Sequence, residues 1–437
     1  MKSQFLNLLH KILSQKLLKK TAKLTIITIL ANVLGFLVPV YIANVYGVTK
    51  TTDDFLLSYS IINFIGVIFA GALSGVCVPY LKERLNNKDE FTSFASNVLY
   101  QITKFIGTLC IICFLASATL FVYLRSPLYL YIAISSPIFF FSVVNAYYYG
   151  ILNSIDKFTL AAASPFSRAV IIFLCIFLFN KQLGIYSAIL GYNLGECGKF
   201  LQLTYVIRIK NNIRLNLRVN NFLEISDFVK TGSYQTLSAA ISASSPLVDK
   251  IYASFLIAGT ISILDYGSRL FMIFTVILNS FLVIVLSKWS SEIVNGHFSF
   301  SSFKKILMLI LALSVFALLA IFVLKQPVIH LLYPKLSFSE REKIGILLTL
   351  NMAGFVFNSG NQVINRGIIA FKGTNLLVKL SLVRISANLV LNAILMTLFG
   401  LYGIVYSTIL TNLICFVLAY KLFSGLVPKI DLNYARN

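Results

Sequence analysis

The segments Gly184-Ile-Tyr-Ser-Ala-Ile-Leu-Gly-Tyr-Asn-Leu194 and Gly403-Ile-Val-Tyr-Ser-Thr-Ile-Leu-Thr-Asn-Leu413 agree at most positions once one residue is shifted between them. Upstream of each, Asn145, Gly150 and Arg168 answer to Asn361, Gly367 and Arg384 at an offset near 217 residues, and Asp54 to Glu83 corresponds more loosely to Asp265 to Glu292. The chain is therefore two fused copies of one unit, and its fold must be one that a unit of half this length builds twice. Composition names the solvent of that unit. Hydrophobic residues make up 58% and charged residues 12%, with mean hydropathy +0.85, more apolar surface than a soluble chain of 437 residues hides in a core. Duplicated membrane units are, most often, transporters that work where their halves meet.

A spanning helix needs about 20 mainly apolar residues. Twelve stretches qualify, at about 22–46, 55–80, 98–122, 129–151, 159–180, 184–207, 229–257, 261–286, 305–325, 344–371, 380–400 and 403–422. Six fall in each copy, and an even number gives both copies one orientation, which places a pseudo-twofold axis along the membrane normal. The expected fold is an all-α polytopic membrane protein of about twelve transmembrane helices in two pseudo-twofold-related six-helix lobes. Its parts are a basic amphipathic segment over 1–21, an N-lobe over 22–207, a basic cytoplasmic linker over 208–228, a C-lobe over 229–422 and a cytoplasmic tail over 423–437.

Net charge +22 raises the question of nucleic acid, but the charge sits in alternate loops. With the N-terminus inside, cytoplasmic segments carry about 21 Lys and Arg against about 7 outside, the bias that orients a bundle with both termini in the cytoplasm. The richest loop, Arg208-Ile-Lys-Asn-Asn-Ile-Arg-Leu-Asn-Leu-Arg218, joins the copies and contains no acid; it suits anionic lipid headgroups, so membrane lipids are an expected partner and nucleic acid is not. The first twenty residues lack the small-residue cleavage site of a signal peptide and read as an interfacial helix.

Catalytic signatures are missing. The six cysteines all fall within spans, the three histidines lie in tails or loops, and no zinc motif, nucleophile elbow or phosphate-binding loop occurs. Polymerases of surface glycans need a substantial outward loop for their acceptor, whereas the longest outward loop here, Lys325 to Lys343, is short and mixed in charge. A transporter fits better than an enzyme. Its chemistry must lie in charges placed within spans, which are costly and usually face a cavity or a partner: Arg168, Glu196, Lys199, Asp249, Lys250, Asp265, Arg269, Arg366 and Arg384. Glu196 with Lys199 and Asp265 with Arg269 are spaced to pair along one helix face. Arg168 and Arg384 hold equivalent places in the repeat, as duplicated structural anchors or as two substrate contacts. Arginines outnumber acids, and the planar guanidinium suits phosphate, so an anionic ligand is expected.

Gly47-Val-Thr-Lys-Thr-Thr-Asp-Asp-Phe55, Ala70-Gly-Ala-Leu-Ser-Gly-Val-Cys-Val-Pro79, Asp249-Lys-Ile-Tyr-Ala-Ser-Phe-Leu256 and Leu264-Asp-Tyr-Gly-Ser-Arg-Leu270, with Asn361-Gln-Val-Ile-Asn-Arg366 and Asn388-Leu-Val-Leu-Asn392, resemble the lipid II flippase (MurJ/MviN) branch of the multidrug/oligosaccharidyl-lipid/polysaccharide exporter superfamily. The resemblance covers almost the whole chain. It implies alternating access in the bacterial cytoplasmic membrane, a polyprenyl-diphosphate-linked glycan as cargo, and glycan-assembly enzymes as further partners. Arg269, Arg168, Arg366, Arg384 and Asp53 are the expected substrate contacts, and no organic cofactor is expected.

Two departures bear on the cargo. Asn32, Val38, Gly66 and Val67 stand where the family carries first-lobe arginines, and the chain stops after twelve spans where the family usually has two more. These features favour another lipid-linked glycan, such as an O-antigen or capsule repeat unit, over peptidoglycan lipid II, which is the alternative; a drug/cation antiporter is second, since it would want an acidic interior. The resemblance also implies a sodium ion held by Asp249, Asn388 and Thr408, with Asn392 where an acid is expected. Interhelical hydrogen bonding by the same four polar residues is the competing reading.

Overall fold

The computed structural model describes residues 15–155, 157, 163–216, 222–294, 298–371 and 373–434. These residues form twelve long helices: α1 Gln15–Tyr46, α2 Lys50–Lys82, α3 Lys88–Leu124, α4 Pro127–Ser154, α5 Ser164–Leu183, α6 Tyr186–Tyr205, α7 Phe222–Ala253, α8 Thr260–Val294, α9 Phe300–Leu332, α10 Phe338–Ala370, α11 Thr374–Phe399 and α12 Leu401–Tyr434. A π-helical turn, Val206–Lys210, extends α6. Each helix matches one of the twelve expected spans. Eight are long and apolar enough to cross a membrane by length and composition alone. The other four are α1, α6, α7 and α10, and the last three carry the buried charges and amides described below, which lowers their hydropathy. Outward-facing apolar side chains are what a bilayer rewards: Phe316 and Val323 on α9 are 71% and 75% exposed to the surroundings.

The helix ends follow local chemistry. Asn87 accepts from the backbone N–H groups of Asp89 and Glu90 at the start of α3, and Ser337 with Glu340 forms a capping box at the start of α10. Gly184 and Gly400 end α5 and α11 at φ +53° and +57°, a region that favours glycine. The outer segments differ from expectation. Residues 1–14 of the expected amphipathic segment and 217–221 of the linker lie outside the described residues. The remainder of 1–21 is the start of α1, with no break before the first span. Most of the expected tail likewise continues α12 to Tyr434.

The chain divides into two compact units that cross the repeat boundary. One comprises residues up to Ile42 with Ser58–Ala240, the other Ala43–Leu57 with Ile241 onward. In the first, α3 packs on α4, α4 on α6 and α5 on α6; in the second, α9 packs on α10, α10 on α12 and α11 on α12. The same contacts are thus built twice. Asn145 on α4 donates through Nδ2 to the carbonyl of Glu196, 51 residues on, and Asn361 on α10 donates to the carbonyl of Asn412, also 51 residues on. Gly191 lies against the carbonyl of Ile172, and Ser407 donates to the carbonyl of Asn388.

These pairs, with the caps Gly184 and Gly400, share one offset of 216 residues. The sequence match had set Asn193 against Asn412 and Gly184 against Gly403; the structure sets Glu196 against Asn412 and Gly184 against Gly400. A slip of about one turn leaves the same face of a helix in register, so small and apolar residues match nearly as well when misaligned.

Candidate functional site

In the second unit, one carboxylate serves two cations. Asp265 Oδ1 accepts from Lys250 Nζ at 2.6 Å, and Oδ2 accepts from Arg269 Nε at 2.9 Å and Nη2 at 2.5 Å. The Arg269 contact follows from four-residue spacing on α8; Lys250 arrives from α7. The three side chains are 13%, 3% and 19% exposed for Lys250, Asp265 and Arg269. Together Lys250 and Arg269 carry one positive charge more than Asp265 in a medium that resists charge, which favours attraction of an anion from a lipid or its cargo.

The neighbouring residue on α7, Asp249, meets α11 and α12. Asn388 and Asn392 donate to its Oδ1 at 3.1 and 2.8 Å, and Thr408 donates to Oδ2 at 3.1 Å. Both asparagines are buried, and their Oδ1 atoms have no hydrogen-bond partner. An amide turned by half a rotation puts its oxygen where its nitrogen stands. The quartet therefore supplies one carboxylate, two buried amide oxygens and a hydroxyl around one point, an all-oxygen set that fits a hard monovalent cation. No cluster of three His, Cys, Asp or Glu suited to a transition metal occurs among the described residues.

Asp53 has a different setting from an open substrate contact. Its Oδ2 accepts from the backbone N–H of Gly259 at 2.6 Å, and its Oδ1 accepts from the backbone N–H and hydroxyl of Ser262 at 2.7 and 2.5 Å. Asp53 thus caps the start of α8, where unpaired N–H groups and the positive end of the helix dipole favour a carboxylate.

The remaining arginines are dispersed. Arg168 lies with its Nε 2.9 Å from Glu196 Oε1, a charge contact with the N–H directed elsewhere, and donates through Nη2 to Tyr59 at 3.0 Å. The guanidinium stands 5.4 Å from the ring centre of Tyr192, and Asn145 donates to the other carboxylate oxygen of Glu196 at 2.9 Å. Glu196 is thus paired across to α5 rather than along α6 with Lys199. Arg366 Nη2 donates to Asn279 at 3.4 Å. Arg384 is half-buried and makes no ion pair among the described residues.

Sequence reasoning missed the Asn145–Glu196 bond, the Lys250–Asp265 pair and the Ser262 partner of Asp53, each a contact between helices distant in the chain. At the positions that depart from the family, Asn32 is exposed and Val38 buried. A Cβ on Gly66 would lie 3.3 Å from Ser142 Oγ, so a larger residue here would press on the Ser142 side chain.

The family model for lipid II flippase MurJ matches residues 42–430. The chain belongs to the lipid II flippase MurJ family. Similar curated relatives include the probable lipid II flippase MurJ of Buchnera aphidicola subsp. Acyrthosiphon pisum, 26% identical over 95% of this chain and 85% of the relative. The one from Vibrio cholerae serotype O1 is 25% identical over 93% and 83%. Among solved structures, lipid II flippase MurJ in an inward closed conformation superposes with a TM-score of 0.79 at 22% identity, covering 94% of this chain and 90% of that one. An inward-facing multidrug transporter of the MATE family reaches 0.67 at 14% identity, covering 91% and 96%. Both likenesses are of fold. It is a multi-pass membrane transporter and not an enzyme. Both the Asp265 cluster and the Asp249 quartet lie inside the MurJ-matched range.

Proposed function

We propose that this protein flips lipid II, the polyprenyl-diphosphate-linked precursor of peptidoglycan, across the bacterial cytoplasmic membrane by alternating access. The observation that carries the proposal is the Lys250–Asp265–Arg269 cluster, two half-buried cations on one buried carboxylate, set within a chain matched to the MurJ family over 42–430. The same match favours lipid II over the O-antigen or capsule unit that the missing first-lobe arginines suggested. A guanidinium held rigid in a low-dielectric site recognises a diphosphate by paired charge-assisted hydrogen bonds. A drug/cation antiporter finds less support, because the surplus charge here is positive.

The test is replacement of a host's own lipid II flippase. Expression of this chain should sustain growth and expose lipid II to a degrading enzyme added outside the cell. Rescue of a surface-glycan flippase mutant without rescue of the lipid II strain would overturn the cargo assignment.

We further propose that sodium at Asp249, Asn388, Asn392 and Thr408 biases the alternating-access equilibrium. A bound ion shifts that balance only by its differential affinity for the two states. One carboxylate against one sodium makes a neutral site, so the affinity should be modest. Labelling of a cysteine at Ser268 should respond to sodium and not to potassium at fixed ionic strength, and Asp249→Asn should abolish the difference. Identical curves for the two salts would leave the quartet as hydrogen-bonding contacts alone.

Loop charge supports a topology with both termini cytoplasmic. A cysteine at Ser126 should then react with a membrane-impermeant label added outside, and one at Asn211 should react only after permeabilisation. Equal labelling of the two from outside would reject this orientation.

A further inference from the structure

The 216-residue offset pairs Arg168 on α5 with Arg384 on α11, and what surrounds the first shows what the second lacks. Arg168 is neutralised by Glu196 on α6 and stands beside the ring of Tyr192. In the second half those places belong to Asn412 and Thr408. Asn412 brings no charge, and Thr408 is turned to Asp249. Gly195, which lies against the backbone and stem of Arg168, is replaced by Thr411, whose hydroxyl is buried and unpartnered. The register is fixed by the contacts repeated in both halves, Asn145 to the Glu196 carbonyl with Asn361 to the Asn412 carbonyl, and Gly191 on the Ile172 carbonyl with Ser407 on that of Asn388. Arg384 also continues the stripe of Asn388 and Asn392, four and eight residues on, which faces Asp249 of α7. One half has thus kept a charge with its counter-charge, while the other has kept the charge with no carboxylate on it among the described residues.

We propose that Arg384, with the Thr411 hydroxyl that the repeat register sets next to it, binds a phosphate ester of a membrane lipid, whereas Arg168 is a structural ion pair. A half-buried guanidinium on a membrane-spanning helix is costly unless an anion completes it, and a guanidinium with an adjacent hydroxyl donor suits a phosphate. The inference rests on the flippase reading only for which lipid supplies the phosphate: the polyprenyl diphosphate of the cargo or an anionic phospholipid headgroup.

The informative variant is Asn412→Glu, which gives Arg384 the carboxylate that Arg168 already has. With the full chain in detergent, a fluorescent short-chain polyprenyl diphosphate is titrated, with phosphatidylglycerol as competitor and the uncharged polyprenol as control. Asn412→Glu and Arg384→Gln should each weaken diphosphate binding by at least about tenfold, and neither should alter polyprenol binding. Binding within about twofold of the unmodified protein in both variants overturns the proposal; if Asn412→Glu does not fold, Arg384→Gln decides by the same criterion. Arg384-dependent binding of phosphatidylglycerol in preference to polyprenyl diphosphate supports the proposal with a phospholipid as the source and counts against the cargo assignment. Lipid II export by the unmodified chain, with diphosphate binding indifferent to both substitutions, retains the flippase and overturns the role of Arg384.

Discussion

Asp265→Asn should be among the most damaging single substitutions in this chain, lowering stability by about 3–5 kcal/mol. The side chain keeps its shape but loses the charge that holds Lys250 at 2.6 Å and Arg269 at 2.5 Å. Two half-buried cations are then left beside a neutral amide. The expected result is a steep fall in the folded protein recovered from membranes and a lower melting temperature in detergent. Lys250→Met in the same chain should restore much of the loss, because it removes one of the two stranded charges and fills the lysine's path with an apolar side chain of similar length. Lys250→Met alone should be milder, since Asp265 Oδ2 keeps both hydrogen bonds from Arg269. A single substitution as stable as the parent, or a double variant no better than Asp265→Asn, would show that the cluster is solvated enough for its charges to act independently.

The parts of this structure that were legible in the sequence are those encoded within one helix. Twelve apolar runs gave twelve helices, and Asp265 with Arg269 meet because four residues bring side chains to one face. What lay between helices was hidden. Lys250 is fifteen residues from Asp265 and on another helix, so spacing carried no sign of the third member of the cluster. Glu196 looked ready to pair with Lys199 one turn away, yet its carboxylate goes to Arg168 and Asn145, which reach it from two other helices. Asp53 read as a substrate contact because it stands in the Gly47–Phe55 motif that carries the family resemblance. In the structure it satisfies the start of α8, 206 residues further on, a need that only the assembled fold creates. The repeat was visible as similarity, and Arg168 was already set against Arg384, but the register of α6 against α12 was not, since helical sequences resemble themselves one turn out of step. Only contacts that recur at one offset settled which residue answers to which, and with that the contrast between Glu196 and Asn412.

Arg269→Ala should separate charge from stability. Removing this guanidinium leaves Lys250 and Asp265 as an ion pair at 2.6 Å, so Asp265 keeps a counter-charge, and the protein should accumulate and melt closer to the parent than Asp265→Asn does. Its activity should not survive. The surplus positive charge of the cluster is gone, along with charge-assisted hydrogen bonds each worth about 1.5–3 kcal/mol to a bound diphosphate, so lipid II export should fall by well over tenfold. Arg269→Lys restores the charge as a point without the planar fork, and partial complementation is expected because a single ammonium cannot grip two phosphate oxygens in parallel while remaining on Asp265. The order parent, Lys, Ala in export, at equal protein level, is the signature of a cation that touches cargo. Full complementation by Arg269→Ala would assign the arginine to structure alone and move the anion-binding role to the cations that carry no carboxylate of their own.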